Sequence, residues 1–222
     1  MSPSRPHRPP RTRALVALAL TPLAALVTGC MTGERPSFNT APTAAGTATG
    51  DANIDAVLAR FDAVGSSIFT ATYTATLVYN GTVTQVSVSQ AGPERRSVTI
   101  GDVRFLTDGS STQTCVLPTG QCTDGINAQA VSNTGVTADV ATGDMAKRLR
   151  RSADAKLGPT VASTPEVAGQ PALCVDVPLS GGTAVYCALA GGAPARFSGG
   201  DLTLELTSYA AVADEAQFAT SG

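Results

Sequence analysis

Apolar residues recur along this chain with two different periods, and the change from one to the other marks its elements. Ile54, Val57, Leu58, Phe61 and Val64 follow the i, i+3, i+4 spacing of a single helical face, with Asp51 or Asn53 as cap and Gly65 as stop. From Ser67 the period becomes two. Phe69, Ala71, Tyr73, Ala75, Leu77 and Tyr79 alternate with Thr70, Thr72, Thr74, Thr76 and Val78, which predicts a long strand with one buried side. Asn80-Gly81 suits a type I′ turn, so Thr82 to Ser89 is expected to return antiparallel.

Turn signals then recur at short intervals. Gly92-Pro93, Gly101-Asp102 and Asp108-Gly109 separate strands expected at Arg95 to Ile100, Val103 to Thr107 and Ser111 to Val116, an antiparallel meander. The alternation fades between Thr123 and Gly169, where the clearest element is a helix from Asp144 to Leu157. Met145, Leu149 and Ala153 share one of its faces, and Lys147, Arg148, Arg150 and Arg151 fall mostly off it as a solvated surface. Strands resume at Ala172 to Val177, Ala184 to Leu189, Ala195 to Ser198 and Asp201 to Tyr209, the last with Leu202, Leu204 and Leu206 on one side. A sheet with one apolar face must cover it, and the two helices are the available lids. The fold class is α+β: a strongly curved antiparallel sheet, or incomplete β-barrel, with helices over its concave apolar face.

The N-terminus is built differently. Arg5, Arg8, Arg11 and Arg13 precede an apolar stretch from Ala14 to Val27 that is too short to span a bilayer, the pattern of a processed export signal. Leu26-Val27-Thr28-Gly29-Cys30 closes it and resembles the bacterial lipobox. That resemblance implies acylation of Cys30 and removal of residues 1–29, leaving the protein anchored at the outer face of the cell membrane. Met31 to Gly50 is rich in Thr, Ala, Gly and Pro without periodicity, so residues 30–50 read as a lipidated N-terminus and flexible linker ahead of one domain, 51–222.

Processing narrows the chemistry. The single histidine, His7, leaves with the signal, which excludes Ser-His-Asp or Cys-His nucleophile systems and His-ligated metals. Loss of four arginines and no acid makes the chain, formally −2, four charges more negative, and nucleic acid is not expected as a partner. Asp201 and Glu205 form the one carboxylate pair worth weighing for catalysis. They sit among threonines on the expected solvent side, so no enzyme activity is expected.

Four cysteines remain besides Cys30. Cys115 and Cys122 bracket the turn Leu117-Pro118-Thr119-Gly120, and Cys174 and Cys187 bracket Ser180-Gly181-Gly182. Each pair is placed to face across adjacent strands, so disulfides Cys115–Cys122 and Cys174–Cys187 are favoured in an exported protein over a zinc site. No metal or other cofactor is called for.

The order of elements resembles the lipoprotein-carrier (LolA/LolB-like) superfamily, including lipidated actinobacterial and mycobacterial lipid-transfer lipoproteins. The features that carry it are the first helix, the strand Phe69 to Tyr79 that turns back at once, the Thr107-Asp108-Gly109 turn, Gly192-Ala193-Pro194-Ala195-Arg196-Phe197, Asp201 to Tyr209, and Asp214 to Phe218. The resemblance implies an unclosed barrel whose concave face receives acyl chains, with Phe69, Tyr73, Leu77, Tyr79, Leu202, Leu204 and Leu206 facing the ligand. It implies an arginine of functional weight without choosing among Arg60, Arg95, Arg96 and Arg104. A lipid or other apolar ligand is thus the expected partner, beside the membrane and a membrane protein of unknown identity. The alternative is a sensor or regulatory module that binds a protein with the same sheet.

Overall fold

The Asp51 carboxylate accepts from the backbone N–H groups of Asn53 and Ile54, and α1 (Ala52–Ala63) starts where its apolar spacing begins. The structure, a computed structural model, describes residues 46–219, so Cys30, the export signal and most of the expected linker lie outside the described residues. Residues 46–50 run beside α1, with the Thr49 backbone N–H and hydroxyl both donating to Asp55 at 2.8 Å.

Twelve strands follow: β1 (Ile68–Leu77), β2 (Val83–Ala91), β3 (Arg95–Ile100), β4 (Val103–Asp108), β5 (Ser111–Val116), β6 (Gln121–Asp124), β7 (Val161–Ser163), β8 (Glu166–Val167), β9 (Gln170–Leu179), β10 (Gly182–Leu189), β11 (Pro194–Ser198) and β12 (Leu202–Ala210). Two further helices, α2 (Ala128–Thr134) and α3 (Gly143–Ala155), lie between β6 and β7. The strands run β6-β5-β4-β3-β2-β1-β12-β11-β10-β9-β7, with β8 pairing β9 alone. Every pairing is antiparallel, and β6 and β7 end an open sheet that does not close into a barrel. This is the expected α+β architecture.

Period-two alternation sorts the side chains onto two faces. Ala71, Val88, Val98, Phe105 and Thr114 form one cross-strand row of the inner face, and Tyr73, Val86, Ile100, Val103 and Val116 form the next. Leu202, Leu204, Leu206, Phe197, Tyr186 and Val175 continue that face across β12 to β9. Helices α1 and α3 pack over the β9–β10 side, with Ile54, Val57, Phe61, Met145 and Leu149 all at most 1% exposed. Burial of each large apolar side chain contributes about 1.5 to 3 kcal/mol, so this packed half supplies most of the driving force.

Both cysteine pairings follow the sequence reading. Cys115 pairs across β5–β6 with Cys122, and Cys174 across β9–β10 with Cys187, as bonded disulfides with Cα atoms 4.0 Å apart on the outer face. The C-terminal segment crosses that outer face too. The Asp214 backbone N–H donates to Ser89 Oγ, Ser87 Oγ to Gln217 Oε1, and Arg104 Nη1 to the Ala219 carbonyl.

Two expectations need correction. The β1–β2 connection is not a two-residue turn at Asn80-Gly81: Leu77 N–H donates to Thr82 O and Gly81 N–H to Leu77 O, closing a turn over Val78 to Gly81. The cationic run on α3 is a solvated surface only in part. Lys147, paired with Asp139, and Arg151 are exposed, but Arg150 is buried and pairs with Asp62 of α1, and Arg148 is held by Asp144 and Asp201.

Candidate ligand-binding site

The inner face is filled over one half and hollow over the other. Phe69, Tyr73, Leu77, Leu202, Leu204 and Leu206 all face inward, as expected, but each is at most 7% exposed, packed into one cluster with α1 and α3 and, at Leu77, against Gly135 at the end of α2. They form core. Tyr79 is not part of this core, since β1 ends at Leu77 and the Val78–Gly81 turn leaves the residue 73% exposed.

The hollow lies under α2. Asn127 caps this helix by accepting from Ala130 N–H, and Gly135 ends it with φ of 67°. Its N-terminal end is tied to β5, because Thr114 Oγ1 donates to the Gly125 carbonyl and accepts from Asn127 N–H. None of its residues is fully buried, and only Ala130 and Val131 pack against the core, where α1 and α3 each press several buried side chains onto it.

Between α2 and strands β3 to β5 is a cavity of about 460 Å³. Val98, Phe105, Ile126, Val131 and Ala138 make one part of its wall apolar, whereas Arg96, Thr107, Thr112, Thr137 and Asp139 make another polar. The division follows from register. Arg96, Thr107 and Thr112 are cross-strand partners in one row, and Val98 and Phe105 are partners in the adjacent row. A pocket of this volume and mixed lining is of the kind that holds small organic ligands, for which about 300 to 1,000 Å³ is usual.

Of the four arginines left open by the sequence, only Arg96 reaches this cavity. Arg60 donates to the Ala188 carbonyl at 3.0 Å, while Arg95 and Arg104 lie on the outer face, on Glu215 and Phe218 in one case and Thr99 and Ala219 in the other. Loss of solvent lowers the Arg96 pKa from the usual arginine value, with the charge of Asp139 partly opposing that shift. Burial would raise the Asp139 pKa, but the hydrogen bond and charge of Lys147, 3.0 Å away, outweigh it and hold the carboxyl below its ordinary value.

The candidate carboxylates stay apart from this site. Asp201 accepts from Arg148 in the β11–β12 turn, and Glu205 pairs with Arg196 on the outer face. Among the described residues, no group of three His, Cys, Asp or Glu could hold a metal ion, and no helix is long and apolar enough to cross a membrane.

One solved structure shares this architecture, and others align more loosely. The crystal structure of MucB aligns with a TM-score of 0.50 at 14% identity, covering 77% of this chain and 63% of MucB. The likeness is one of fold. The chain therefore spans just under two thirds of the MucB length. A complex of Pseudomonas aeruginosa MucA and MucB aligns at 14% identity and TM-score 0.48, covering 76% of this chain and 61% of that one. A LolA superfamily protein from Nitrosomonas europaea aligns at 9% identity and TM-score 0.34, covering 72% and 94%. No protein-family model matches the chain, and no curated protein matches it.

Proposed function

We propose that this chain is an exported lipoprotein, held at the outer face of the cell membrane by lipid on Cys30, whose domain binds and carries a lipid or another apolar small molecule. The observation that carries this reading is the cavity of about 460 Å³ under α2, apolar over Val98, Phe105, Ile126, Val131 and Ala138. Its opening beneath a helix with no buried residues gives a ligand a route in without disturbing the core. Binding rather than catalysis is the role: Asp201 and Glu205 are engaged by Arg148 and Arg196, and neither lines the cavity.

A second reading, a sensor or regulatory module that binds a membrane protein, draws on the exposed apolar side chains of the β1–β2 connection. Val78 and Tyr79 are 49% and 73% exposed at one end of the sheet, available to a protein surface.

Native mass spectrometry of the protein purified from membranes, followed by organic extraction, separates the two. Stoichiometric co-purifying lipid supports carriage. A protein that is empty and takes up no added lipid argues for the protein-binding module.

A further inference from the structure

Arg96 is placed unlike the other cations of this fold. It lies on the inner face of β3, half-buried, in the row Gln90–Arg96–Thr107–Thr112 that makes the cavity wall polar. Among the described residues its guanidinium makes no hydrogen bond and no ion pair within 4.0 Å, whereas Arg60, Arg95, Arg104, Arg148, Arg150 and Arg196 each have a partner and Arg151, which has none either, is exposed to solvent.

Its surroundings sharpen the contrast. Gln90, its cross-strand neighbour, has a buried Oε1 without a partner, so the guanidinium is not turned back onto the sheet to satisfy it. Asp139, the one acidic residue of the cavity wall, is already engaged by Lys147. A cation with five donors in a fork, partly stripped of water and facing an apolar hollow, is matched by an anion with two or three oxygens.

We infer that the cavity under α2 takes a single-chain amphiphile with an anionic headgroup, a carboxylate or a phosphate monoester, its oxygens on the Arg96 guanidinium and its chain against Val98, Phe105 and Val131. The inference rests on the apolar-ligand reading above and adds the headgroup. Size agrees with one chain, because about 460 Å³ lies in the range of drug-sized ligands and well short of what a multiply acylated lipid needs to be enclosed. Thr107, next to Arg96 in the row, and Thr112, one strand further on, offer hydroxyl donors to the remaining headgroup oxygens.

Calorimetric titration of the full chain without its export signal and with Cys30→Ser tests this, using dodecanoate, dodecyl phosphate, dodecanol and inorganic phosphate below micellar concentrations. The expected result is that at least one anionic amphiphile binds about tenfold to a hundredfold tighter than dodecanol, the range of a charge-assisted hydrogen-bonded pair. Arg96→Leu is expected to erase that preference while leaving dodecanol affinity in place, and Arg96→Lys to retain part of it. Thermal midpoints of both variants identify any loss caused by unfolding. Equal binding of the acids and the alcohol, or a preference that survives Arg96→Leu, overturns the headgroup assignment and leaves the apolar-ligand reading standing. Binding of inorganic phosphate alone, with no amphiphile bound, overturns both.

Discussion

Asp62 at the end of α1 holds Arg150 of α3, whose side chain is 5% exposed, and this pair clasps the two helices that fill the inner face. The Arg150 Nε is buried with no partner, so most of the desolvation cost of the guanidinium rests on this one carboxylate. Asp62→Ala is expected to cost about 2 to 3 kcal/mol in denaturant unfolding, because it strands the buried charge. Arg150→Met removes that charge and keeps much of the side-chain volume, so it is expected to cost less than Asp62→Ala. The reverse order would show that the clasp works by packing alone.

Gly192 carries the β10–β11 turn against the end of α1. A Cβ there would meet the Arg60 carbonyl and lie 2.8 Å from Val64 N, with the backbone held at φ of 86°. Gly109, at φ of 58°, has nothing within 4 Å of such a Cβ. Gly192→Ala is therefore expected to lose several kcal/mol, against about 1 to 2 kcal/mol for Gly109→Ala, which feels backbone strain only. Equal losses would mean that the helix end yields to the turn.

Each disulfide staples one hairpin on the outer face. Cys174 and Cys187 are 13 residues apart and Cys115 and Cys122 are 7 apart, so loop closure makes the first bridge worth more, about 3 kcal/mol. Double Cys→Ser replacement at 174 and 187 is expected to lower the thermal midpoint further than replacement at 115 and 122. The latter hairpin anchors α2 through Thr114, so its loosening is expected to show first as faster amide exchange over residues 125–135.

Stability is expected to fall at both ends of the pH scale. The hydrogen bond from Lys156, aided by Thr160 and the α1 N-terminus, holds the Asp51 pKa below its ordinary value. That stability is complete above the unfolded carboxylate range near about 4 and is lost as pH drops through the folded value. Burial raises the pKa of Tyr73 and Tyr186, so their contribution is present below about 10 and is lost as pH climbs above it, where the unfolded chain ionises first. Thermal midpoints across pH read both limbs. Tyr73→Phe is expected to soften the alkaline limb without cost at neutral pH, because the Tyr73 hydroxyl has no hydrogen-bond partner among the described residues.

The sheet was legible because its information is local. Alternation over β1 and β12 and Gly-centred turns place nine strands to within two residues at each end, whereas the short β6, β7 and β8 carry too few alternating positions to be given a range. Helix α2 was not legible. It has the start and stop signals Asn127 and Gly135, but only Val131 of its apolar residues is large, so no 3.6-residue period emerges. The candidate site suffered for the same reason. Inward-facing residues could be read from parity, yet whether a helix fills the space above them depends on tertiary packing. Phe69, Tyr73 and Leu204 therefore proved to be core, and the hollow lies two to three strands away beside Arg96. The burial of Arg150 was equally hidden, since its partner Asp62 lies 88 residues away.

Filling the cavity is the most direct test of where the ligand sits. Val131 lines it from α2 and is only partly buried, packing on the edge of the core, so Val131→Trp is expected to plug the hollow while leaving the packed half intact. The measurement is titration of an environment-sensitive apolar fluorophore into the wild-type protein and the variant, with thermal midpoints alongside. Saturable binding to the wild type, lost in Val131→Trp at an unchanged midpoint, is the predicted result. Undiminished binding in the variant would contradict a ligand site under α2.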